Sequence, residues 1–95
     1  MQTLEKTLAK LDSDKAVAAF LTDLCTPAER RAITERWAVA QLLEQDELSY
    51  RDIRAKTGVS TTTIGRVARF LREEPHGGYR LALDKIADEK SKVDS

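Results

Sequence analysis

Apolar residues recur along this chain at helical spacing, broken by short polar or glycine-bearing stretches. Leu4, Leu8 and Leu11 fall at i, i+4, i+7, which predicts an amphipathic helix over residues 3–11. Asp12-Ser13-Asp14 interrupts it and can cap a second helix, running from Ala16 to Leu24. That second helix is apolar on most sides. Such a helix is buried in its own domain or covered by another chain. Thr26-Pro27-Ala28-Glu29 then opens a third helix, with Thr as cap, Pro at the first helical position and Glu at the third. It runs to about Glu44, with Ile33, Trp37, Ala40 and Leu43 as its inward stripe. Asp46 and Glu47 form a short loop.

Residues 49–71 carry the densest pattern. Ser49 and Asp52 have capping-box spacing, Ile53 is the apolar anchor of a short helix, and Gly58 stands where the chain must turn with φ > 0. Val59 lies in the turn. Ser60 caps a further helix that opens with Thr61, Thr62 and Thr63. Its apolar residues Ile64, Val67 and Leu71 are spaced i, i+3, i+7 on one face. Two capped helices, a tight turn and matched apolar spacing make a helix-turn-helix, whose second helix enters a DNA major groove. The same shape also serves protein contacts in other all-α domains, so a protein-interaction module stays open as the alternative. Arg72-Glu73-Glu74-Pro75 ends the motif, because proline disfavours helix in the residue before it. His76-Gly77-Gly78 is a turn. Tyr79, Leu83 and Ile86 mark a last helix over 78–88 that should dock on the N-terminal helices, and residues 88–95 read as a frayed tail. The expected fold is all-α, with about six helices and no strand.

Size sharpens this picture. A chain of 95 residues is one domain's length and buries a modest core, for which oligomerisation is a common remedy. Cys25 is the one cysteine, so no internal disulfide forms; a reduced core thiol is expected. No apolar run approaches a membrane span and no signal peptide is visible, so the expected location is the cytoplasm. The chain is formally neutral, which by itself does not favour nucleic acid. Its charge is unevenly placed, however. Residues 49–80 hold seven basic side chains (Arg51, Arg54, Lys56, Arg66, Arg69, Arg72, Arg80) against three acidic ones (Asp52, Glu73, Glu74), a net of +4, leaving −4 on the other 63 residues. A basic head on an acidic body steers one face toward phosphates. With one histidine, in a glycine turn, and no metal-ligand cluster or phosphate loop, an enzyme is not expected.

Leu24-Cys25-Thr26-Pro27-Ala28-Glu29-Arg30, Arg36 and the helix-turn-helix at 49–71 resemble the tryptophan repressor family. The match runs without a gap from about Leu24 to Leu71 and more loosely to both ends, with a shorter N-terminus here. Gly77-Gly78-Tyr79 looks like the short branch of tryptophan-repressor-like proteins. The resemblance implies a single domain over 1–95, folded as an intertwined homodimer. Helices in 1–45 and 78–88 would dimerise, and residues 49–72 would read a palindromic operator, most simply as a repressor. It also implies an effector site for L-tryptophan, with Arg36 and Arg66 as its arginines and Thr26 and Thr63 as its threonines. The pattern departs at Val67, where the tryptophan-sensing member has a glycine that leaves room for the ligand. Three of these have a simpler role: Thr26 as a helix cap, Arg36 as an exposed or salt-bridged helix arginine, Val67 as a core residue.

On double-stranded DNA, Thr61, Thr62 and Gly65 would face base edges at the exposed start of the second motif helix, beside the Ser60 cap. Threonine brings a hydroxyl for bases and a methyl for thymine. Tyr50, Arg51 and Arg54 would meet phosphates or flanking bases. Arg69 and Arg72 are either phosphate contacts or a solvated face.

Overall fold

The structure, a computed structural model, describes residues 1–94, and the side chains of residues 1–91. Its helices begin where short polar side chains can replace missing backbone partners. Thr3, Ser13, Ser49 and Ser60 all adopt extended backbone, and each side-chain oxygen accepts the N–H three residues on. They open α1 (Leu4–Lys10), α2 (Asp14–Leu24), α4 (Tyr50–Thr57) and α5 (Thr61–Arg72). α3 (Pro27–Gln45) starts at a reciprocal box: the Thr26 hydroxyl accepts from Glu29 N–H at 3.2 Å, and Thr26 N–H donates to the Glu29 carboxylate at 2.9 Å. Those two hydrogen bonds, the backbone one foremost, hold the Glu29 carboxyl below the usual carboxylate range. α6 (Gly78–Asp94) completes six helices, with no strand among the described residues.

Two compact units divide the chain, Met1–Ile33 and Thr34–Ser95. The first holds α1, α2 and the opening turns of α3. Among its described residues none is buried, and Leu4, Leu24 and Ile33 are exposed. Ile33 therefore departs from the expected inward stripe, whose packed part starts at Trp37. Cys25 departs too. It is half-buried rather than in the core, because it is the C-cap of α2 in extended backbone.

The second unit contains the core. Val39, Ala40 and Leu43 of α3, Ile53 of α4, Val59 in the turn, and Ile64, Val67 and Ala68 of α5 form one buried cluster. Trp37, Leu42, Leu48, Leu71 and Tyr79 pack around it. A buried aliphatic side chain of this kind contributes about 1.5–3 kcal/mol. The start of α6 joins this body: Tyr79 stacks on Trp37 at 6.5 Å, Leu83 is buried, and Arg80 donates to both oxygens of Glu44 at 2.6 and 2.8 Å. The Arg80 hydrogen bonds hold the Glu44 carboxyl below the usual carboxylate range and push the guanidinium pKa up. α6 thus docks on α5 and on the C-terminal half of α3. Ile86 was expected on the docking face but is exposed, one turn past Leu83. Residues 88–94 correct a second expectation. They are helical rather than a frayed tail, since Ala87, Glu89 and Lys90 are sound helix formers and no Gly or Pro interrupts them; Ser95 lies outside the described residues.

Candidate nucleic-acid interface

The α4–α5 hinge is fixed by local chemistry. Gly58 ends α4 at φ +76°, and its N–H donates to the Arg54 carbonyl at 2.8 Å. A residue with a Cβ is disfavoured in that left-handed conformation. The Thr57 hydroxyl donates back to the Ile53 carbonyl at 2.7 Å and accepts Val59 N–H at 3.1 Å. Val59 is thereby held in the core, and Ser60 is placed to cap α5. At the other end of α4, Ser49 and Asp52 form the reciprocal capping box. These contacts set the entry of both helices without long-range help.

α5 has three faces. Ile64, Val67, Ala68 and Leu71 point into the body. Thr61, Thr62, Arg69 and Arg72, at i, i+1, i+8 and i+11, are exposed along one stripe, with Gly65 half-buried among them at i+4. Thr63, Arg66 and Phe70 form the third. At Gly65 an added Cβ would meet nothing within 4 Å. Tyr50 begins α4 and lines a cleft of about 160 Å³ with Gly65, Arg69 and Arg72. Arg51 and Arg54 are exposed on α4. So Tyr50, Gly65 and Arg69 come together around one cleft, with Thr61 and Thr62 along the same stripe. Ser60 lies at the head of the stripe, its hydroxyl 3.1 Å from that of Thr63.

The candidate effector positions are distributed otherwise. Thr26 caps α3 in the first unit, and Arg36, Thr63 and Arg66 belong to the second. The Arg66 guanidinium lies 4.5 Å from the centroid of the Phe70 ring, which stacks in turn on His76 at 5.9 Å. Phe70, His76, Gly78 and Tyr79 line an apolar cleft of about 370 Å³. Val67 is 1% exposed and sits wholly in the core cluster. On α5, Arg66 covers an aromatic ring of its own helix, and the Val67 methyl groups are packed in the core.

Four residues carry roles that pattern reading did not assign. Glu74 binds Arg69 through one carboxylate oxygen, at 2.8 Å to Nε and 2.6 Å to Nη2. Arg72 donates to the Leu43 carbonyl at 3.3 Å and so covers the C-terminus of α3. Phe70 holds Arg66, and Glu44 holds Arg80. The first of these had a sequence signal, an acid five residues after a basic residue just past a helix end. The others join residues 29 and 36 positions apart or depend on a side-chain rotamer.

Six helices among the described residues, with α4 and α5 joined by the tight turn at Gly58, define a helix-turn-helix protein. The sequence model described as Trp repressor protein matches residues 1–87, and the chain belongs to that family. The uncharacterized protein YerC of Bacillus subtilis (strain 168) is 36% identical over 76 residues, spanning 80% of this chain and 71% of that one. The family is one of helix-turn-helix DNA-binding regulators. Among the described residues no helix is long and apolar enough to cross a membrane.

Proposed function

We propose that this chain is a sequence-specific transcriptional regulator, a repressor that binds a two-fold operator as a homodimer in the cytoplasm. One observation carries the reading. Gly65 sits in the middle of α5, where glycine costs roughly 0.5–1 kcal/mol relative to alanine. The fold does not require it, since a Cβ there meets open space. A glycine with no internal reason, between Thr61 and Arg69 on an exposed stripe, suits a surface approached closely from outside. A DNA groove edge is that kind of partner. Thr61 and Thr62 then read bases, with Arg51 and Arg54 on phosphates. With no long side chain among the base-facing residues, part of the readout passes through water and DNA shape.

The regulator acts without an amino-acid effector in this reading, which is supported by Arg66 lying over the Phe70 ring and by Val67 packed in the core. Selection of bound fragments from a genomic pool, with and without L-tryptophan, tests both points. The expected outcome is one enriched motif with two-fold symmetry, the same in both arms. Enrichment only with L-tryptophan would overturn effector independence. Failure to retain any fragment at low salt would favour the protein-interaction module.

A further inference from the structure

Arg69 belongs to the same stripe as Thr62 and Gly65 and lines the cleft with Tyr50, Ala68, Arg72 and Glu73, two guanidinium groups against one carboxylate. Its guanidinium is engaged in the free chain, since Nε and Nη2 both donate to Oε1 of Glu74. Glu74 is anchored to the same residue through the main chain as well: its N–H donates to the Arg69 carbonyl at 3.1 Å. The two side chains differ in freedom. Arg69's is 63% exposed and Glu74's 23%. The acid is the seated partner and the arginine the one able to leave. A carboxylate and a phosphate offer a guanidinium the same charge-assisted hydrogen bonds.

We propose that Glu74 is a built-in stand-in for a DNA phosphate, holding Arg69 in the free protein and yielding it when a backbone phosphate enters the cleft lined by Tyr50, Gly65 and Arg72. This rests on the DNA-binding reading and adds its regulation. Binding exchanges one ion pair for another, so Glu74 lowers affinity for every duplex by the same factor. It sets the absolute affinity of the reading head and leaves base preference to Thr61 and Thr62. It also gives the acidic residue after α5 a purpose that capping does not require, because the Glu74 main chain already makes that bond.

The test is a double-mutant cycle on the full chain, comparing wild type, E74Q, R69A and E74Q/R69A. Each is titrated at several salt concentrations against a selected duplex and a scrambled one. E74Q keeps the shape and removes the charge; circular dichroism verifies that all four are folded. The expected result is tighter binding of E74Q to both duplexes by one common factor, up to about fivefold, the range that an exposed ion pair spans. R69A should cancel that gain, and in the E74Q background it should lower the log–log salt slope by about 0.9. Unchanged affinity in E74Q overturns the proposal, as does an equal gain with or without Arg69, which would be a general charge effect. If wild type binds neither duplex at low salt, the DNA-binding reading falls and the proposal with it. Wild-type binding with an indifferent E74Q sinks the phosphate stand-in alone.

Discussion

At Gly65 two effects of one substitution separate. Alanine in its place meets no neighbour and removes the helix penalty of glycine, so G65A should raise stability by about 0.5–1 kcal/mol in a denaturant titration. The same methyl group stands on the stripe proposed to face DNA, so affinity for the selected fragment should fall. A variant that is more stable and binds equally well would remove Gly65 from the interface. Arg54 separates differently. It is exposed on α4, and no core residue needs its side chain. R54A should leave stability within about 0.5 kcal/mol. It should weaken binding to all sequences alike and flatten the log–log salt slope by about 0.9, read by fluorescence anisotropy. An unchanged slope would take Arg54 off the phosphate list.

Helix starts were legible because they are local. Each cap and its partner lie three residues apart, so Thr26 with Glu29, Ser49 with Asp52 and Ser60 with Thr63 could be read directly. Gly58 was legible for the same reason. The buried face of α5 followed from helical spacing. What failed was the reach of each stripe. Ile33 and Ile86 share helical phase with buried residues, yet both lie beyond the packed part of their helices. Phase gives the face of a helix and says nothing of how far along it another element extends. The pairs Arg80–Glu44 and Arg72–Leu43 were illegible because they join separate helices. At the crossing of α4 and α5, Ile53 is fully buried. I53A should cost about 2–5 kcal/mol by denaturant titration, a large fraction of the stability of so small a body. A loss under about 1 kcal/mol would mean that the two motif helices are held mainly by their caps.

The single chain leaves the whole molecule unevenly covered. None of the described residues of the first unit is buried, although α2 is apolar on most sides, and Leu4, Leu24 and Leu81 are exposed. A second copy covering these faces is the proposed remedy, and it places two α5 helices on one particle. Acid should weaken the fold by a predictable route. Glu44, tied by Arg80, and Glu29, tied by Thr26, have lowered pKa values in the folded chain. Their stabilisation is fully present above the unfolded carboxyl value of about 4.3 and is lost as pH falls through the lower folded values. Thermal melts should therefore be level in this respect above about pH 5 and drop below about pH 4, while R80A should blunt the acid-side drop. A drop as steep in R80A as in wild type would assign the acid sensitivity elsewhere.

The account depends most on paired α5 helices meeting one face of a duplex. Hydroxyl-radical footprinting of the selected fragment, with the mass of the complex determined alongside, addresses this directly. Two protected half-sites about one helical turn apart, related by two-fold symmetry and carrying two chains, are the predicted result. A single protected patch, one bound chain, or a footprint that survives replacement of Thr61, Thr62 and Gly65 would contradict it.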